Sequence, residues 1–138
     1  MDLKLELVLL PVADVDRAKD FYTERCGFSL DVDHRAGESF RVVQLTPPGS
    51  ACSVTVGIGL LDTPPGSVRG LHLVVTDIVA ARDQLVGRGV EVSEIRHMTP
   101  AGWQTGVSPE RSDYESFADF ADPDGNTWVL QERGHGGT

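Results

Sequence analysis

Apolar and polar positions follow one order twice along the chain. Lys4 to Pro11 is mostly apolar and β-compatible, and it runs into Val12-Ala13-Asp14, where an aspartate can accept hydrogen bonds from the first free amides of a helix. Val15, Ala18, Phe21 or Tyr22, and Cys26 then recur at helical spacing. Asp16, Arg17, Lys19, Asp20 and Glu24 take the opposite face, and Gly27 can end the helix in the left-handed conformation. Phe28 to Asp33, Phe40 to Thr46 and Cys52 to Ile58 read as short strands, parted by an Ala36-Gly37 turn and by Thr46-Pro47-Pro48-Gly49-Ser50. The order is βαβββ.

It begins again after the Pro/Gly-rich stretch Asp62 to Val68. Leu71 to Val75 predicts a strand, Thr76-Asp77 a cap, and Ile78, Ala81 and Leu85 the buried stripe of a helix ending at Gly87 to Gly89. Val90 to Met98, Tyr114 to Ala121 and Thr127 to Glu132 predict three more strands, the last two joined by Asp122-Pro123-Asp124-Gly125-Asn126. A slide of 63 positions sets Asp14 on Asp77, Ala18 on Ala81, Asp20 on Asp83 and Arg25 on Arg88, which together with the repeated element order argues for an internal repeat. The expected organisation is one domain over 1–138: module one 1–61, linker 62–68, module two 69–133, and a disordered tail 134–138. The irregular Met98 to Asp113 segment reads as a lid or binding loop carrying Trp103.

Composition narrows the function. The 138 residues carry a formal charge of −9, which repels phosphate backbones and anionic lipid surfaces, so neither nucleic acid nor membrane is an expected partner. No apolar run reaches the roughly 20 residues of a membrane helix, and the N-terminal apolar segment lacks a cleavage site. Cys26 and Cys52 fit neither a zinc spacing nor a disulfide framework. The expectation is a cytoplasmic protein. There is no Walker loop, nucleophile elbow or dinucleotide fingerprint.

Val12-Ala13-Asp14-Val15-Asp16-Arg17-Ala18-Lys19-Asp20-Phe21-Tyr22, then Gly27-Phe28, then Phe120 to Asn126 with its D-P-D-G-N turn, resemble the vicinal oxygen chelate superfamily of glyoxalase I, bleomycin-resistance proteins and extradiol dioxygenases. The resemblance implies an α+β fold of two βαβββ modules forming a cup-shaped curved mixed sheet with helices outside, a ligand or metal within, and a homodimer. In metal-using members the ligands would fall on Leu7, Gly70, Val129 and the Ser53 to Thr55 region. Leucine, glycine and valine offer no donor pair, and a lone hydroxyl does not hold a divalent ion against water. No metal ligand is therefore assigned and no cofactor is expected; a divalent ion on displaced ligands is the alternative.

Other side chains remain for chemistry. His72, two residues past Gly70, shares the inward parity and is the candidate acid, base or hydrogen-bond partner. Gln131 shares parity with Val129, and Leu7 and Val129 would line the site. Trp103, Tyr114 and Phe117 would stack on a planar ligand, and Arg41 would meet a carboxylate or phenolate. His34 and His97 are possible rim residues. Glu6 and Glu132 have outward parity, which a one-residue register slip would reverse. The reading is a protein binding an aromatic or amphipathic small molecule without metal. The alternatives are a metal-dependent lyase, isomerase or dioxygenase, and a metal-free acid–base enzyme using His72.

Overall fold

The computed structural model describes residues 1–136. They form two compact units: residues 1–68 with 122–126, and residues 69–121 with the chain from 127 onward. The strands and helices are β1 (Leu7–Leu9), α1 (Val15–Asp20), β2 (Ser29–Arg35), β3 (Arg41–Thr46), β4 (Ser53–Ile58), β5 (Leu71–Val75), α2 (Ile78–Gly87), β6 (Arg96–Thr99), β7 (Gly102–Thr105), β8 (Ser116–Ala121) and β9 (Thr127–Glu132). The fold is α+β, with two mixed sheets ordered β1-β4-β3-β2 and β5-β9-β8-β6-β7. In each, the first strand runs parallel to its neighbour and the other pairs are antiparallel.

The first unit is built around α1. Asp14 caps it by accepting from the Arg17 amide at 3.0 Å, and the helix widens into a π-turn over Phe21–Arg25 before Gly27 leaves at φ 75°. Ala18 and Tyr22 are fully buried, as are Val43, Leu45 and Val56 from the sheet. The D-P-D-G-N turn belongs to this unit. Asp122 is buried and its Oδ1 accepts from the amides of Asp124, Gly125 and Asn126 at 2.9–3.0 Å. Its Oδ2 accepts from the Tyr22 hydroxyl at 2.7 Å and from Asn126 Nδ2 at 2.8 Å. Gly66 approaches the turn so closely that a Cβ there would sit 1.9 Å from the Asp124 carbonyl oxygen, which admits only glycine.

The second unit repeats the cap: Asp77 accepts from the Ala80 amide at 3.1 Å, with Ile78 buried below. Its strands depart from expectation in two places. Val90 to Ile95 is not strand, because the Arg82 guanidinium takes the carbonyls of Val92 (3.2 Å) and Ser93 (2.7 Å) that a neighbouring strand would need. The expected lid is partly a hairpin, β6 and β7, turning at Pro100-Ala101 where Thr99 Oγ1 donates to the Gly102 carbonyl at 2.8 Å. This half is therefore βαββββ. In the first unit β1 is also shorter than the predicted Lys4–Pro11 strand, since its pairing with β4 starts only at Leu7 opposite Ser53. Within the tail expected to be disordered, Gly134 donates to Asp113 Oδ1 at 2.7 Å and His135 Nδ1 meets the Thr76 carbonyl at 3.1 Å; residues 137–138 lie outside the described residues.

Hydrogen bonds to a buried carboxylate are each worth about 1.5–3 kcal/mol, so Tyr22→Phe is expected to cost about 2 kcal/mol in denaturant unfolding. Asp122→Ala, which removes the acceptor of five hydrogen bonds, should cost more than Tyr22→Phe; equal stability of wild type and Asp122→Ala would contradict the role given to the turn.

Candidate functional site

Cross-strand partners share a face of a sheet, so the register sorts the candidates. In the second unit His72 pairs with Val129 and Val74 with Gln131, and on β8 Phe117 pairs with Gln131 and Asp119 with Val129. Arg96 pairs with Phe117 and with Thr105, and Met98 with Trp103. One face thus gathers His72, Val129, Gln131, Phe117 and Trp103, all singled out from the sequence, with Val74, Asp119, Arg96 and Met98 added by the pairing. Trp128, Leu130 and Glu132 point the other way and are buried.

The gathered face is unusually apolar for one left open. Val74 is 55% exposed, Met98 52% and Trp103 50%. Trp103 is braced: its ring meets Phe117 edge-on at 5.7 Å, and the Arg96 guanidinium lies 5.0 Å from it and 5.9 Å from Phe117. Asp119 holds Arg96 with two bonds, 2.8 and 3.2 Å, so this cation is spent on shaping the aromatic pair. Beside Trp103 a cavity of about 370 Å³ opens, lined by Ser93 to Arg96 and by Gln104 and Thr105. That volume falls within the range of small-molecule sites.

His72 is exposed, and its Nδ1 lies 2.7 Å from the Gly70 carbonyl. A carbonyl only accepts, so Nδ1 carries the proton and Nε2 is left as the basic atom. Gln131 Nε2 donates to the Tyr114 carbonyl at 3.3 Å. Tyr114 stands just before β8 at φ 65°, half exposed, with the Arg133 guanidinium 5.7 Å from its ring. Its backbone meets the face through Gln131, while its ring pairs with Arg133.

The remaining candidates lie in the first unit. Arg41 is not a free ligand-binding cation: it is buried on the helix-facing side with Val43 and Leu45. Its Nε and Nη2 donate to Asp33 (3.0 and 2.9 Å) and its Nη1 to Asp16 (2.8 Å). Those bonds, with Lys19, hold the Asp33 carboxyl well below the usual carboxylate range. Period two turned the arginine inward, and Gln44 has the other parity, bonding Ser53 Oγ at 3.3 Å. Leu7 pairs with Ser53 on that same face. His97 is buried with Nδ1 2.8 Å from the Gly106 carbonyl, and His34 is exposed on β2.

The positions that carry metal ligands in the resembled family do not fit a metal here: Leu7, Gly70 and Val129 hold no donor, and Ser53 Oγ is already bonded to Gln44 and Thr46. Asp77, Glu132 and His135 do bring ligand atoms within 4.8 Å of one another. Glu132 is fully buried and committed: Arg111 donates to both its oxygens (2.7 and 2.6 Å) and the Ile78 amide to Oε2 (2.9 Å). This is a helix-end anchor. It also fixes the register, since Glu132 points away from the open face.

A family model, the glyoxalase/bleomycin resistance protein/dioxygenase superfamily, matches residues 4–130. The chain belongs to this superfamily. Among solved structures it is similar to TnmS3, an antibiotic binding protein from Streptomyces sp. CB03234, at 34% identity and TM-score 0.73, covering 95% of this chain and 96% of that one. A glyoxalase/bleomycin resistance protein/dioxygenase superfamily member from Sphaerobacter thermophilus DSM 20745 is 28% identical with TM-score 0.74, over 96% and 98% of the two chains. The uncharacterized protein YetH of Bacillus subtilis (strain 168) is 25% identical over 125 residues, 91% of this chain and 94% of YetH.

Arg111 holds the Glu132 carboxyl below its ordinary value, with the Ile78 amide acting in the same sense. A depressed carboxylate contributes stability in full above its unfolded value and loses it as pH falls through the folded one. Thermal stability should therefore drop below about pH 4.5, and Glu132→Gln should flatten part of that acid-side slope. Arg111→Ala leaves a buried charge unpaired and is expected to cost about 3 kcal/mol at pH 7.

Proposed function

We propose that this superfamily member binds a planar, largely apolar organic molecule on the open face of the five-stranded sheet and sequesters it without a metal ion. The observation that carries the reading is Trp103, half exposed yet held edge-on to Phe117 and under Arg96. A ring fixed in this way loses little entropy when a flat ligand stacks on it. Met98 and Val74 extend the apolar area, while Gln131 and His72 Nε2 offer polar anchors. The likeness to TnmS3, an antibiotic binding protein, supports a ligand of that kind. Cys26 and Cys52 form no disulfide, which is compatible with a reducing compartment.

A second reading has one observation in its favour. With Nδ1–H held by the Gly70 carbonyl, His72 has a defined tautomer and an unblocked Nε2, as a general base requires.

Titration of Trp fluorescence against a panel of polycyclic aromatic antibiotics tests both. Trp128 is buried and supplies a constant background, so quenching should report Trp103. Trp103→Ala is expected to weaken binding about tenfold, the equivalent of one stacking contact of about 1.4 kcal/mol. Chelator treatment should leave affinity and melting temperature unchanged; loss of either would reject the metal-free reading. Turnover of a bound compound that disappears in His72→Gln, with affinity retained, would favour the enzyme.

A further inference from the structure

A second cavity, of about 240 Å³, is lined only by residues of the first unit and is independent of the binding face proposed above. Its lining comes from the residues just after β1, from β4, and from the segment Leu60 to Pro65 that follows β4. That segment is held at both ends. Leu60 seats on β4, where a Cβ on Gly57 would come within 2.6 Å of the Leu60 Cδ1, and the Gly66 amide donates to the Pro11 carbonyl at 3.0 Å. Pro64 and Pro65 restrict the backbone further, so the cavity is formed before any ligand enters. Thr55 lines it at 2% exposure, and its Oγ1 is buried with no hydrogen-bond partner among the described residues. A buried hydroxyl left unpaired costs free energy that a bound polar group recovers.

We propose that this cavity binds a small primary amine with a single-ring or short aliphatic body, its ammonium donating to Thr55 Oγ1 and to the Asp62 carboxylate. Size sets the body. The volume exceeds the roughly 150 Å³ of an apolar cavity that takes up benzene and falls short of the roughly 300 Å³ at which drug-sized sites begin. Leu10, Val12, Leu60 and Leu61 supply apolar contact to such a body. Polarity sets the head group. Asp62 is exposed and is the one charged residue of the lining, with no lysine, arginine or histidine beside it. Pro11, Pro64 and Pro65 bring carbonyls without amides, and the Leu10 amide is spent on the Thr55 carbonyl at 2.9 Å. The hydroxyls of Thr55 and Thr63 can both accept. The lining is thus negative, rich in acceptors and poor in donors, which suits an ammonium and rejects a carboxylate of the same size.

Amide NMR of the full chain, titrated with phenethylamine, phenethyl alcohol and phenylpropanoate, tests the assignment. The amine should shift the amides of Val12, Thr55, Leu61, Asp62 and Thr63 and bind more tightly than the alcohol, while the anion leaves them unmoved. Asp62→Asn, at an exposed position, should weaken the amine about threefold and leave the alcohol unchanged. Thr55→Val keeps the shape, removes the hydroxyl and should weaken the amine roughly tenfold. Because that hydroxyl has no partner in the free protein, the melting temperature of Thr55→Val should not fall. Trp103→Ala should leave the amine's affinity unchanged, which separates this cavity from the face of the five-stranded sheet. Amine shifts confined to Trp103, Gln104 and Thr105 would overturn the proposal, as would phenylpropanoate binding as tightly as the amine. So would an amine affinity unchanged in both Asp62→Asn and Thr55→Val, or a lowered melting temperature in Thr55→Val, which would show the hydroxyl already bonded within the protein.

Discussion

A single buried carboxylate organises the first unit. Asp122 accepts five hydrogen bonds, three from consecutive backbone amides of its own turn and two from Tyr22 and Asn126. Such a group is costly to bury and stable only when its acceptor sites are filled, so each donor becomes a geometric requirement. The consequence spreads through Asn126, whose amide nitrogen donates to the Pro11 carbonyl at 3.0 Å and whose oxygen accepts from the Val68 amide at 3.1 Å. One side chain thereby ties α1, the end of the first strand and the linker to the same turn. Gly66 completes the arrangement, since backbone meets backbone there with no room for a side chain.

The second unit uses its charges differently. Arg96 and Asp119 neutralise each other on the open face, and Arg111 and Glu132 do so beneath it. Net acidity, taken over the whole chain, gives no hint that the local face is nearly charge-balanced and dominated by Trp103, Phe117, Met98 and Val74. Recognition on such a surface rests on shape and stacking, with polarity supplied by Gln131 and His72. This is why the site reads as one for a flat apolar ligand.

Part of the gathered face was legible in advance because strand parity is a strict rule. His72 and Gln131 could be put on one face by counting two from the resembled family's positions at Gly70 and Val129, and Glu132 on the other, whereas Phe117 joins them only through its pairing with Gln131. The same rule, counted along β8, would have found Asp119 from Phe117. Arg96 and Met98 were harder, because the strand carrying them starts six residues later than Val90, where Arg82 occupies the carbonyls. Arg41 was misread for a further reason: parity leaves two faces open to a strand arginine, and only the positions of Asp16 and Asp33 select the buried one.

What the amino-acid sequence determined by itself is therefore local and periodic: the Asp14 and Asp77 caps, the doubled element order, the turn at Asp122 to Asn126, and the lack of donors at the family's ligand positions. These follow from short-range hydrogen bonding and the fixed repeats of helix and strand. Only the tertiary structure decided which charges are spent internally, that Trp103 is braced by Arg96 and Phe117, and that half the expected lid folds as a hairpin. Those outcomes depend on partners far apart in the chain, and no period or local motif encodes a contact between Tyr22 and Asp122.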